Sequence, residues 1–255
     1  MTKYFTKFTT AAASLGVAAA VSSIASAEVA QPDKPVSYAV SSYILLDRTG
    51  SMNDIWDEAL TSVNTYAEAV GTVEEGENND LKTTVTLAAF DYQGGFQFDV
   101  LRNAVEPDSW QTVTNSEVTP RGMTPLFDAI NRMITLAEVE NPEKAVIVIM
   151  TDGLENSSSE VTKEGAKAAL KRAEERGWEV VFLGAEFATF ADADAVGVSR
   201  DKQMAVGASN LSATQERLAK KARSYGKGEE PEIIFDAEDR AAADEEGVKQ
   251  RNGGR

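Results

Sequence analysis

The chain has 255 residues and 42% hydrophobic side chains, enough for one large domain with a sizeable core. Its 25 Lys and Arg face 41 Asp and Glu, a formal net charge of −16, which argues against a nucleic-acid partner because phosphate binding needs clustered cations. Cys and His are both absent, which excludes disulfides, thiolate chemistry, Ser-His-Asp or Cys-His catalysis and ordinary zinc sites, so any metal must be a hard cation held by oxygen.

Residues 1–27 read as a secretory signal peptide. Lys3 and Lys7 make a positive start, Ala11 to Ile24 is uncharged and apolar, and Ala25-Ser26-Ala27 is a small-x-small cleavage site. The apolar run is too short and too rich in Ala and Ser for a membrane span, which wants about 20 apolar residues. The expectation is export, to the periplasm or as a secreted protein, with no stable membrane span after cleavage. Cleavage after Ala27 takes the net charge from −16 to −18, because it removes two lysines and no acids. Residues 28–36 are polar and contain Pro, and read as a linker.

Tyr38 to Leu46 is β-rich and apolar towards its end, a buried strand that stops at Asp47. A Gly-Ser turn follows, then a helix running to about Val70, with Asn53 or Asp54 as the expected cap. Gly71 to Asp80 is an acidic loop. Thr83 to Asp91 is a second strand, and Gly94-Gly95 turns it into a third, Phe96 to Leu101, as a hairpin. Thr124-Pro125 opens a helix to about Glu138, since Pro suits a first helical turn. Ala145 to Met150 is continuously apolar, the mark of a strand buried on both faces, and ends at Thr151-Asp152-Gly153. A helix over Val161 to Arg176, a strand over Trp178 to Gly184, a helix over Phe187 to Val196, a short strand over Lys202 to Val206 and a helix over Leu211 to Tyr225 complete the pattern. Residues 227–255 read as an acidic flexible tail, with Asp236 to Glu246 solvated or an exposed helix. Alternating strands and helices predict an α/β fold, a mostly parallel central sheet with one antiparallel edge strand and helices on both faces. Ligands of such folds sit beyond the carboxyl ends of the strands. Two apolar strands end there in Asp47 and Asp152.

Asp47-Arg48-Thr49-Gly50-Ser51 alternates one carboxylate and two hydroxyls on a tight turn. Thr124 adds a hydroxyl at the mouth of a helix, and Asp152 a carboxylate at a strand end. Hard cations take about six oxygens, and magnesium usually keeps some waters, so a partner's carboxylate can complete such a set. Each piece has a plainer reading alone: turn residues for Asp47, Thr49 and Ser51, a helix cap for Thr124, an Asp-Gly turn for Asp152. Arg48 and Arg121 could hold the loops or face an acidic ligand, and Glu155 and Asn156 could support Asp152 from behind.

These residues resemble the von Willebrand factor A (vWA) family, whose metal-ion-dependent adhesion site has the pattern Asp-x-Ser-x-Ser, then Thr, then Asp. Here the pattern is Asp47-x-Thr49-x-Ser51, Thr124 and Asp152, with a hydroxyl kept at position 49. The resemblance covers roughly Tyr38 to Tyr225. The strings Asp-Arg-Thr-Gly-Ser-Met and Pro-Arg-Gly-Met-Thr-Pro-Leu-Phe-Asp-Ala-Ile are similar to single-domain vWA proteins of bacteria and their phages. The resemblance implies a Rossmann-like vWA domain over 37–226 and a divalent cation held by all five residues. Magnesium is favoured, with manganese and calcium as alternatives, and the implied role is metal-dependent binding of a protein partner through its acidic residue. An adaptor or regulatory subunit of a larger machine is the alternative role. A magnesium-dependent phosphohydrolase is a remote one: haloacid-dehalogenase-type phosphatases need a second Asp two residues after the first as general acid, and Thr49 stands there. The expectation is therefore not an enzyme.

Overall fold

The central strands are apolar on both sides because helices cover both faces of the sheet they form. In the computed structural model, which describes residues 38–73, 80–186 and 190–253, six strands make one sheet. They are β1 (Tyr38–Asp47), β2 (Leu81–Tyr92), β3 (Phe96–Val105), β4 (Ala145–Thr151), β5 (Glu179–Ala185) and β6 (Gln203–Val206), in the order β3-β2-β1-β4-β5-β6. All neighbours pair in parallel except β2 and β3, the expected hairpin, so β3 is the antiparallel edge. The signal peptide expected over 1–27 and the linker over 28–36 lie outside the described residues.

The helices are α1 (Trp56–Ala69), α2 (Leu126–Glu140), α3 (Lys163–Glu175), α4 (Ala191–Val196), α5 (Leu211–Lys227), α6 (Ala237–Ala242) and α7 (Glu245–Gly253). Period-2 side-chain alternation splits each central strand between two cores. Ile44, Leu46, Val148, Met150, Val181 and Leu183 pack with α1 and α5, while Tyr43, Leu45, Ile147, Ile149, Val180 and Phe182 pack with α2, α3 and α4. No described helix is long and apolar enough to cross a membrane.

Three expectations change. The first helix opens as a 3-10 turn, Gly50–Ile55, and neither Asn53 nor Asp54 caps it; the Asn53 amide donates instead to Gly50 O at 2.6 Å. The helix expected from Phe187 is seen over Ala191–Val196, and 187–189 lie outside the described residues. The tail expected to be flexible is folded onto the domain as far as α7. Ile233 and Phe235 enter the α1/α5 core, and Asp236 and Asp239 form a reciprocal cap at the start of α6. Arg240 donates to Gln203 O at 3.0 Å and grips Glu245 at 3.0 Å, so side chains from this segment cover the outer edge of β6. Four apolar residues spread among many charges (Ile233, Phe235, Ala243, Val248) carry this packing, and the charge run masked them.

Candidate metal centre

The strand order reverses direction at β1, which has β2 on one side and β4 on the other. The crevice at the carboxyl ends of β1 and β4 is therefore the topological switch point, where α/β sheets bind ligands. Leu46 pairs with Met150, which brings Asp47 beside Thr151 and, one residue on, Asp152.

Asp47 is fully buried. Its Oδ1 accepts from Thr49 N at 2.7 Å and its Oδ2 from the Thr151 hydroxyl at 2.6 Å. The Thr49 hydroxyl shares a 3.1 Å hydrogen bond with Ser51 Oγ and accepts one of 3.4 Å from Thr124 Oγ1. Ser51 Oγ donates to Asp152 Oδ1 at 2.7 Å. Thr124, Thr49, Ser51 and Asp152 thus form one chain of hydrogen bonds, with Asp47 beneath it. All five residues named from the sequence meet at this point. A Cβ built on Gly153 would sit 3.6 Å from Thr124 Oγ1 and 3.7 Å from Ser51 Oγ, so the Asp-Gly turn closes the far side.

The plainer readings fare unequally. Thr124 does not cap α2: the residue preceding that helix is Pro125, with no side-chain cap. Glu155 Oε2 and Ser158 Oγ take the free Phe127 N–H instead, each at 3.0 Å. Thr49 precedes the 3-10 turn without capping it, because its hydroxyl is engaged with Ser51 and Thr124. Asn156 does support the site, accepting from Thr124 N at 2.8 Å while its own N–H donates to Thr124 O at 3.0 Å. Sequence reasoning missed Thr151, and it missed Asp128, which accepts from the N–H groups of Ser159, Glu160 and Val161 and shapes the loop behind the site. It also missed Asp91 and Asp99, which meet Arg48. Asp91 had a signal: like Asp47, it ends an apolar strand.

The electrostatics favour a cation. Burial pushes the Asp47 carboxyl up to about 7, against the Thr151 and Thr49 bonds that lower it, and the charge of Asp152 adds to the rise. Burial also raises Asp152, against the bond from Ser51. Among the described residues no three His, Cys, Asp or Glu side chains gather to hold a metal unaided. An ion here must lean on hydroxyls, and two carboxylates with three hydroxyls form a donor set suited to a hard cation. A carboxyl raised on folding binds its proton more tightly in the native state, so its stabilising contribution is present at low pH and lost as pH rises towards 7. In chelator, the native chain should therefore lose on the order of 3 kcal/mol relative to Asp47→Asn between about pH 4 and pH 7, read by urea unfolding. A pH-independent difference would mean that Asp47 does not carry this buried charge.

No family model matches the chain, and no curated protein is similar to it in sequence. Its fold is found among solved structures. The pilus adhesin SpaC from Lactobacillus rhamnosus GG superposes with a TM-score of 0.58 at 15% identity, over 76% of this chain and 31% of that one. The chain thus spans about a third of SpaC. The vWF domain of the type V pili tip protein Mfa5 from Porphyromonas gingivalis gives 0.53 at 12% identity, over 73% of this chain and 95% of that one. Proximal thread matrix protein 1 from the mussel byssus gives 0.51 at 15% identity, over 73% and 46%. At these identities the likeness is one of fold, and the fold is of the vWA type.

Proposed function

We propose that this chain is a metal-dependent protein-binding module. Asp47, Thr49, Ser51, Thr124 and Asp152 would hold one divalent cation, with magnesium favoured because hydroxyls outnumber carboxylates. The observation that carries the reading is the side-chain hydrogen-bond chain Thr124–Thr49–Ser51–Asp152 at the switch point of the sheet, with the Asp47 carboxylate tied to it through Thr49 N. The bound ion would supply the positive charge that lets an acidic side chain of a partner dock on a protein as negative as this one. Met123 and Leu154 stand at the rim, 50% and 43% exposed, next to Thr124 and close to Asp152. Exposed apolar side chains beside a polar centre suit a protein surface as partner. The likeness to a pilus adhesin and a pilus tip protein supports an interaction role over catalysis. It also fits an exported protein that carries a signal peptide over 1–27.

Calorimetric titration of magnesium, manganese and calcium into the chain tests the reading. One saturable site, reversed by chelator, is expected. Failure of all three ions to bind would leave a vWA-type scaffold that meets its partner by another face.

A further inference from the structure

We propose that Arg48 is a positioning residue for the site, acting through a buried ion-pair clamp that ties the 47–51 and 120–124 loops to the β2–β3 hairpin. Its consequence for metal affinity rests on the metal reading above.

Arg48 stands between Asp47 and Thr49, at a position the metal pattern leaves free, yet its side chain is only 5% exposed. Its Nε donates to Asp91 Oδ2 at 2.5 Å, and a terminal guanidinium nitrogen donates to Asp99 Oδ2 at 2.6 Å. Arg121, three residues before Thr124, donates from Nε to the same Asp91 oxygen at 3.1 Å. Asp91 is fully buried and its other oxygen makes no hydrogen bond, so its carboxylate is committed to these two guanidinium groups. The backbone repeats the connection. Arg121 N donates to Arg48 O at 2.7 Å, Gly50 N to Gly122 O at 3.2 Å, and Arg48 N to Phe90 O at 3.1 Å.

A buried ion pair contributes little net stability, because desolvation offsets its attraction. What this one offers is direction. A planar guanidinium with fixed donors can hold two carboxylates at set angles. Because the Arg48 side chain leaves the backbone between two site residues, fixing it fixes the orientation of both neighbours. Because Arg121 shares Asp91, the same carboxylate sets the approach of Thr124 to Thr49, whose hydroxyls stand 3.4 Å apart. Lysine would keep the charge and lose the fork.

Arg48→Lys and Asp99→Ala in the full chain test the clamp with two readouts, manganese titration and amide hydrogen exchange in chelator. Arg48→Lys should weaken manganese binding roughly 10- to 100-fold, the usual effect of removing a group that orients metal ligands. The amides of Gly50 and Arg121 should exchange at least about tenfold faster, with those of Ile147 and Val148 in β4 unchanged. Asp99→Ala removes a half-exposed acceptor and should shift both readouts less, in the same direction; it decides the matter if Arg48→Lys does not fold. Unchanged affinity in the variants overturns the role of Arg48 at the site, whatever the exchange does. If the native chain takes up no manganese, the metal reading fails, and exchange alone decides the clamp: unchanged Gly50 and Arg121 amides overturn it, faster ones uphold it as a device that positions the loops.

Discussion

Asp47→Asn should abolish divalent-cation binding while the fold persists. The substitution keeps the shape and an acceptor for the Thr49 N–H or the Thr151 hydroxyl, and it removes a buried negative charge that the native chain carries at a cost. An ion would lose the deepest carboxylate of the cluster and keep only Asp152, which is shared with Ser51. The expected loss of affinity is at least about 100-fold, roughly 2.7 kcal/mol. Thermal melting gives the sharper comparison. At a metal concentration about 100 times the dissociation constant, the native chain should gain about 2.7 kcal/mol by mass action, and the variant should gain almost nothing. In chelator the order should reverse near neutral pH, with Asp47→Asn the more stable protein, since it no longer buries an ionised group. Equal metal binding by both proteins would move the ion away from the switch point.

Gly122→Ala should be among the most damaging single-methyl changes available in this chain. Gly122 has φ +71°, and a Cβ there would lie 2.4 Å from Tyr92 O. Alanine in a left-handed conformation costs about 1–2 kcal/mol by itself. The clash falls on rigid backbone, and it strikes the point where Tyr92 and Met123 exchange hydrogen bonds of 2.9 and 3.1 Å. The sum expected is about 3–5 kcal/mol in urea unfolding, at the severe end for point substitutions. Gly94 is the internal control. It has the same φ, +71°, with nothing within 4 Å of its Cβ, so Gly94→Ala should cost only the conformational part, about 1–2 kcal/mol. Similar losses at the two positions would show that the close approach to Tyr92 contributes nothing. Because Met123 precedes Thr124, Gly122→Ala should also weaken metal binding.

Local pattern determined a good deal here. Short apolar runs rich in β-branched and aromatic residues and ended by turn signals read as strands rather than buried helices, so Tyr38–Asp47, Ala145–Thr151 and Glu179–Ala185 were legible as the centre of an α/β sheet. Acids at the ends of such runs must lie at the carboxyl edge, which located Asp47 and Asp152. A carboxylate and two hydroxyls within five residues form a local object whose convergence needs only one tight turn. Tertiary structure alone decided the rest. Asp91 and Asp99 reach Arg48 across 43 and 51 residues, and they do so because β2 lies against β1 and carries β3 on its far side. Strand order is a long-range choice that no local period encodes. For the same reason Thr124 resembled a helix cap in the sequence: the Glu155 and Ser158 groups that relieve it of that task come from the far side of β4. The C-terminal segment resembled a solvated tail because a few apolar residues suffice when they fit grooves already built by α5 and β6, and the sequence carries no measure of that fit.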